Sequence, residues 1–199
     1  MDWYYVTIRF VANHCNNEAI AAKCIQILHG FNYRYDMRSI GVSFPNWCNE
    51  TVGNKISFVS TEKLALDFLV KQRYFQEMQQ LGYFDISETL LVPAGCQFAC
   101  FKRCQKIDKS SSAGINRKLQ RLARRAEARG EVFDHSKYSN YQLIETEHYH
   151  SLAAPSKSRC RNFRLNIQKT NNIIQNDTPS FSSYGLANST ATLQSVPII

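Results

Sequence analysis

The chain predicts an α+β protein whose first half folds as a βαββαβ unit and whose second half is a smaller α+β region built around an arginine-rich helix. Three observations carry this. Apolar residues alternate from Tyr4 to Phe10 and then recur at helical spacing from Ala19 to Leu28, the two periods that mark a strand followed by a helix. The texture changes after Pro93-Ala94-Gly95, which sets expected domains of 1–95 and 96–199. Finally, ten of the 24 Lys and Arg residues and only two acids lie between Phe101 and Arg129, so that this stretch carries the whole net charge of +8.

Each element has its own signal. Tyr4, Val6, Ile8 and Phe10 alternate with Trp3, Tyr5, Thr7 and Arg9, a strand with one buried face. Asn17 then caps a helix through Ala19, Ala21, Ala22, Cys24, Ile25 and Leu28 that stops at Gly30. Residues 39–44 form a second strand closed by Pro45, and residues 55–59 a third. Ser60 or Thr61 caps a second helix with Leu64, Leu66, Phe68, Leu69, Phe75 and Met78 on its buried side, ending near Gly82. A fourth strand spans about Tyr83 to Val92. The order is that of the ferredoxin-like unit, in which both helices cover one side of the sheet.

In the second half, residues 96–106 read as a strand with Phe101, Arg103 and Gln105 on one face and Cys96, Cys100 and Cys104 on the other, the cysteines taken as small core residues. A turn from Lys109 to Ser112 leads into the basic helix, about 112–130. Its Ile115, Leu119, Leu122 and Ala126 share an apolar face, while Arg117, Lys118, Arg121, Arg124, Arg125 and Arg129 fall within an arc of roughly 140° on the other. Residues 130–145 read as loop with room for one short helix. Phe163 to Ile167 is a strand, 171–179 a loop, Phe181 to Leu186 a short strand, and the tail from Ala191 offers one more.

An ordinary surface helix mixes its signs and pairs Glu with Lys at i, i+4, whereas here Glu127 stands alone among six cations. Such a ridge repels itself unless a polyanion lies against it. No run of large apolar residues accompanies the charge, so nucleic acid fits better than a membrane surface. A second cluster, Lys157, Arg159, Arg161, Arg164 and Lys169, lies where no acid occurs between Glu147 and Asp177. The N-terminus lacks the pattern of a secretory signal and no stretch reaches membrane-spanning length, which predicts a soluble, cytoplasmic protein. Seven cysteines without CxxC or zinc spacing argue against a disulfide framework or structural metal, and no cofactor is expected.

These residues carry a resemblance. Leu28-His29-Gly30, Ile40-Gly41-Val42-Ser43-Phe44-Pro45, Arg103-x-Gln105 before the basic helix, Ser156-x-Ser158 with Phe163-Arg164-Leu165, and Tyr184-Gly185-Leu186 occur in this order over nearly the whole chain. In that order and spacing they resemble the CRISPR repeat-processing endoribonucleases of type I-F systems, the Csy-type branch of the Cas six family. The resemblance implies an enzyme that clamps a hairpin in CRISPR repeat RNA, cuts at its 3′ base without metal, and stays bound as a subunit of a Cascade-type complex beside a backbone subunit. Cys15-Asn16-Asn17-Glu18 and Phe44-Pro45-x-Trp47-Cys48 look closest to the branch encoded in transposons that use guide RNA, which would add a TniQ-type transposition protein as partner.

The roles follow residue by residue as implications of that resemblance. His29 is the catalytic histidine, Ser156 the serine that holds the attacking ribose 2′-OH, and Tyr184 the tyrosine that orients the imidazole. Phe163 stacks beneath the last base pair, Arg103 and Gln105 read purines there, and the helix arginines line the stem. The chemistry agrees with each type. A 2′-OH can attack its own phosphate if a group takes its proton, and an imidazole with pKa about 6.5 can do so near neutral pH. At the end of a helix His29 would meet the negative dipole end, which favours its cation, so the site must offset this. Hydroxyls such as Ser156 and Ser158 bond ribose or phosphate, an aromatic stacks on an unpaired end, and Arg and Gln pair two-pronged with G and A. His148 and His150 are reserve candidates for the base, and His14 and His135 have no matched role. The alternative reading is a catalytically silent hairpin-binding subunit in which His29 is structural.

Overall fold

The computed structural model describes residues 2–11, 15–104, 107, 112–134, 148–154, 163–171, 173–187 and 193–199. Strand β1 (Tyr4–Phe10) pairs antiparallel along its length with β3 (Lys55–Ser60), from Tyr4 opposite Ser60 to Arg9 opposite Lys55. β2 (Gly41–Ser43) adds outside β3, and β4 (Phe84–Ile86) lies on the other side of β1, giving the order β2-β3-β1-β4. This is the expected ferredoxin-like arrangement. Val6 and Ile8 are fully buried beneath Ala21, Cys24, Ile25 and Leu28 of α1 (Asn17–Arg34) and Leu66 and Leu69 of α2 (Lys63–Val70).

Several boundaries differ from the sequence expectation, each for a local reason. Asn16, not Asn17, caps α1, its side-chain oxygen accepting the Ala19 N–H at 2.8 Å. The helix does not stop at Gly30 but continues to Arg34, because Phe31 and Asn32 on the far side of the glycine are buried and hold the next turn in place. A glycine inside a helix costs only about 1 kcal/mol relative to alanine, which that burial offsets. His29 therefore stands more than a turn before the helix end, outside the reach of the terminal dipole.

The expected second helix is two, α2 and α3 (Arg73–Gln80), because Gln72 is extended at φ −60 and ψ 141 and the chain restarts there. That break removes Leu64 and Phe68 from the buried side. Leu64 is 81% exposed, and Phe68 packs edge-on against Phe31 and Tyr35. Neither Ser60 nor Thr61 caps α2; Glu62 holds the cap position without a side-chain bond, and the Ser60 hydroxyl accepts the Glu62 N–H at 3.1 Å. The fourth strand is likewise split into β4 and β5 (Leu90–Leu91), both on β1. Ser87 interrupts it, its hydroxyl accepting the Thr7 N–H at 2.9 Å in the gap.

The second sheet has the order β7-β8-β6-β9, with β6 (Phe98–Arg103), β7 (His150–Ala154), β8 (Phe163–Thr170) and β9 (Val196–Pro197). Arg103 and His150 both lie opposite Ile167, on either side of β8. β7 was not apparent in the sequence; it runs beside α1 with Leu152 fully buried. The expected strand from Phe181 to Leu186 is instead a tight turn between bridge residues Phe181 and Ala187. Gly185, at φ +72, takes the chain out of extended conformation. Cys100 and Cys104 are buried as expected, whereas Cys96 is half-buried and donates to the Ile198 carbonyl at 2.9 Å.

The two sheets share a continuous apolar core. Phe101 packs edge-on against Phe44 at 5.3 Å, and a side chain at Gly41 would meet Phe181 at 2.6 Å and Val196 at 2.7 Å, so the sheets approach too closely there for any other residue. Helix α4 (Ser112–Ala128) covers the basic stretch as expected. No helix among the described residues is long and apolar enough to cross a membrane.

Candidate active site and nucleic-acid interface

His29 projects from the middle of α1 onto the 182–185 turn, which the chain delivers from the far end of its sequence. The Ser182 carbonyl accepts the Gly185 N–H at 2.9 Å, closing a four-residue turn with Ser183 and Tyr184 at its centre. Gly185 then seats the turn, its carbonyl accepting the Val42 N–H at 2.8 Å. On either side, Phe181 N–H donates to the Arg38 carbonyl and Ala187 N–H to the Phe101 carbonyl, each at 2.8 Å, so one segment ties the approach to β2 to strand β6.

Two contacts fix the imidazole. The Tyr184 ring lies parallel to it, with centroids 4.3 Å apart and 14° between planes. His29 Nδ1 lies 2.9 Å from Ser183 Oγ, and among the described residues Nε2 has no hydrogen-bond partner. Burial, together with the positive charge of Arg38, holds the His29 pKa below its ordinary value, which favours the uncharged form of the half-buried ring. Arg38 is itself held by the carbonyls of Met37 at 2.6 Å and Asn32 at 3.2 Å. The imidazole thus lies within the electrostatic influence of a guanidinium that backbone carbonyls hold in place.

The basic ridge also faces outward. Arg117, Lys118, Arg121, Arg124 and Arg125 on α4 are all exposed, while Ile115, Leu119 and Leu122 are half-buried and Ala126 is buried. Arg129, just past the helix, pairs with Glu131 at 2.8 Å. Both partners are more than half exposed, so the pair contributes little and can be exchanged for a phosphate. Arg103 is half-buried at the end of β6, one residue from Lys102, whose backbone bridges to Ala187. Phe163 begins β8 opposite Ala154.

The structure thus brings His29 and Tyr184 together and places Arg103 on the strand to which their turn is bonded. Ser156, Ser158 and Gln105 lie outside the described residues, as do His14, His135, Lys157, Arg159 and Arg161. His148 and His150 belong to a different cluster. His150 begins β7 and is 6% exposed, bonds the Cys48 carbonyl at 2.8 Å, and packs on Trp47 with centroids 4.4 Å apart. His148 Nε2 lies 3.3 Å from His150 Nε2. Among the described residues neither ring contacts His29.

Sequence reasoning missed three residues of this site: Ser183, Asn32 and Arg38. Asn32 is fully buried and donates to the Ser183 carbonyl at 3.1 Å. It stands at i+3 from His29, on the same helix face, a signal hidden by ending α1 at Gly30. Arg38 was legible only as one cation in a short loop.

No curated protein sequence matches the chain. A family model described as CRISPR-associated protein (Cas_Csy4) matches residues 5–197, from the first strand to the last. That match supports a role in processing CRISPR repeat RNA as an endoribonuclease. The chain belongs to the Cas_Csy4 family of CRISPR-associated proteins.

Proposed function

We propose that the protein cleaves CRISPR repeat RNA at the 3′ base of its hairpin without metal, and that His29 is the general base. The observation that carries this is the setting of the imidazole: stacked on Tyr184, held at Nδ1 by Ser183 Oγ, with no partner for Nε2 among the described residues, and with its pKa pushed below the ordinary value by burial and by Arg38. In the reaction Nε2 takes the proton of the ribose 2′-OH, whose oxygen attacks the adjacent phosphorus in line and expels the 5′ oxygen of the next nucleotide. The leaving 5′ oxygen takes up one proton, matching the one that His29 accepts and later gives back, so the products are a 2′,3′-cyclic phosphate and a 5′-OH and no water is consumed. Ser156 holds the attacking hydroxyl, Tyr184 orients the imidazole, and Arg38 favours the charge that grows on the phosphate. Ser158 lies along the backbone, Phe163 stacks beneath the stem, and Arg103 and Gln105 read purines at its base.

The α4 ridge grips the stem. A-form major grooves are deep and narrow, so its long arginines act near the open end of a short hairpin. The protein then remains on the product as the 3′-hairpin subunit of a Cascade-type complex, next to the backbone subunit. The resemblance of residues 15–18 and 44–48 to the transposon-encoded branch supports a TniQ-type protein among its partners.

The test of cleavage is incubation with repeat RNA in EDTA and analysis of the ends. A cyclic phosphate supports the proposal; intact RNA that is still bound favours the silent hairpin-binding subunit. The cleavage rate should rise with pH through a midpoint below the ordinary histidine value, because His29 must lose its proton and its pKa is depressed. Arg38→Gln removes a cation that disfavours imidazolium, so that midpoint should move upward; a pH–rate profile that stays put would separate Arg38 from the base. Arg121→Ala with Arg125→Ala should weaken hairpin binding and reduce the slope of log K against log salt by about 1.5–2, one phosphate contact each. An unchanged slope in a salt titration would take α4 off the RNA.

A further inference from the structure

We infer that Ser183 is a positioning residue that sets the tautomer of His29, its Oγ accepting a hydrogen bond from Nδ1–H so that the lone pair sits on Nε2. This deepens the proposed function and rests on His29 being the base. A neutral imidazole carries its single proton on one nitrogen or the other, and the bond made by one nitrogen decides which. Left to itself a histidine side chain favours the proton on Nε2, the form that cannot accept a proton there. A site that uses Nε2 as a base must reverse that preference.

The structure supplies the means within 2.9 Å of Nδ1. Tyr184 cannot supply it, because its ring lies over the imidazole face at 14°, while the nitrogen lone pair and N–H lie in the ring plane. Tyr184 fixes the plane, and Ser183 fixes the rotation within it and the proton. Ser183 is in turn held by groups independent of any RNA. Its carbonyl accepts from the buried Asn32 side chain at 3.1 Å, and the turn around it is closed by the Ser182–Gly185 hydrogen bond. Asn32 and His29, one helical turn apart, thus grip the same residue, one by its backbone and one by its hydroxyl. The neighbouring Ser182 acts elsewhere, its hydroxyl accepting the Leu186 N–H at 3.3 Å.

The test uses the full chain labelled with ¹⁵N in histidine and free of RNA, near neutral pH. Two-bond proton–nitrogen spectra distinguish the tautomers, and the His29 signals are those lost in His29→Gln. The expected result is an Nδ1–H pattern in the wild type and in Ser182→Ala, a shift toward Nε2–H in Ser183→Ala, and restoration in Ser183→Thr. In parallel, Ser183→Ala should lower the single-turnover cleavage rate about five- to tenfold, the worth of one neutral hydrogen bond, with RNA affinity unchanged. An Nε2–H pattern in the wild type, or a spectrum that Ser183→Ala leaves alone, overturns the assignment. Wild-type cleavage by His29→Ala would instead overturn the reading of His29 as base, whatever the spectra give, so the two failures are distinguishable.

Discussion

His29→Ala should lose cleavage by about 10²–10⁴-fold, the range for removing a positioned general base, while binding the repeat hairpin as the wild type does. The two effects separate because the imidazole and the cationic ridge belong to different elements. The ring lies on α1 against the 182–185 turn, and the exposed arginines lie on α4. Removing the ring leaves the Ser183 hydroxyl and the Tyr184 face exposed to water at a half-buried site, which costs little stability. Single-turnover cleavage and equilibrium binding, measured on the same preparation, give both numbers. Cleavage within twofold of wild type would remove His29 from the chemistry, and a parallel loss of binding would make it a contact residue.

Gly185→Ala should lower the melting temperature by about 4–20 °C and lose cleavage together with it. The residue sits at φ +72, where a Cβ costs about 1–2 kcal/mol. That Cβ would also stand 2.6 Å from Leu28 Cδ2 and 2.6 Å from Val42 Cγ2, an overpacking worth about 1–3 kcal/mol. A sum of about 2–5 kcal/mol, at 2–4 °C per kcal/mol for a chain of this size, gives the range. The displaced turn carries Ser183 and Tyr184, so the folded fraction should cut slowly too. Gly82→Ala is the matched comparison, with φ +74 and no atom within 4 Å of the added methyl, so it meets the backbone strain alone. Equal melting temperatures for the two variants in a thermal scan would contradict the packing argument.

The periods of two and 3.6 residues made β1, α1 and the basic helix legible, because each has one face in the core and one in water. The signal failed where the face was decided by something distant. Gly30 reads as a stop when taken locally, and only the burial of Phe31 and Asn32 by the folded chain carries α1 onward. β7 was invisible because the element it packs beside, α1, lies far back in the chain and its short run His150-Ser151-Leu152 has one fully buried apolar residue. The site shows the same division. His29 and Tyr184 stand out through their family resemblance, whereas Ser183 and Asn32 act through one hydrogen bond each, across about 150 residues of sequence, which no local pattern encodes. The ferredoxin-like order was legible from element succession alone.

The account turns on the substrate's own hydroxyl being the nucleophile and His29 its base. The most direct measurement uses repeat RNA with a single 2′-deoxy nucleotide on the 5′ side of the scissile phosphate, incubated with the wild-type protein and analysed for cleavage and binding. The account predicts full affinity and no cut. Cleavage of that RNA at the wild-type rate would mean that another nucleophile attacks the phosphorus, and would contradict it.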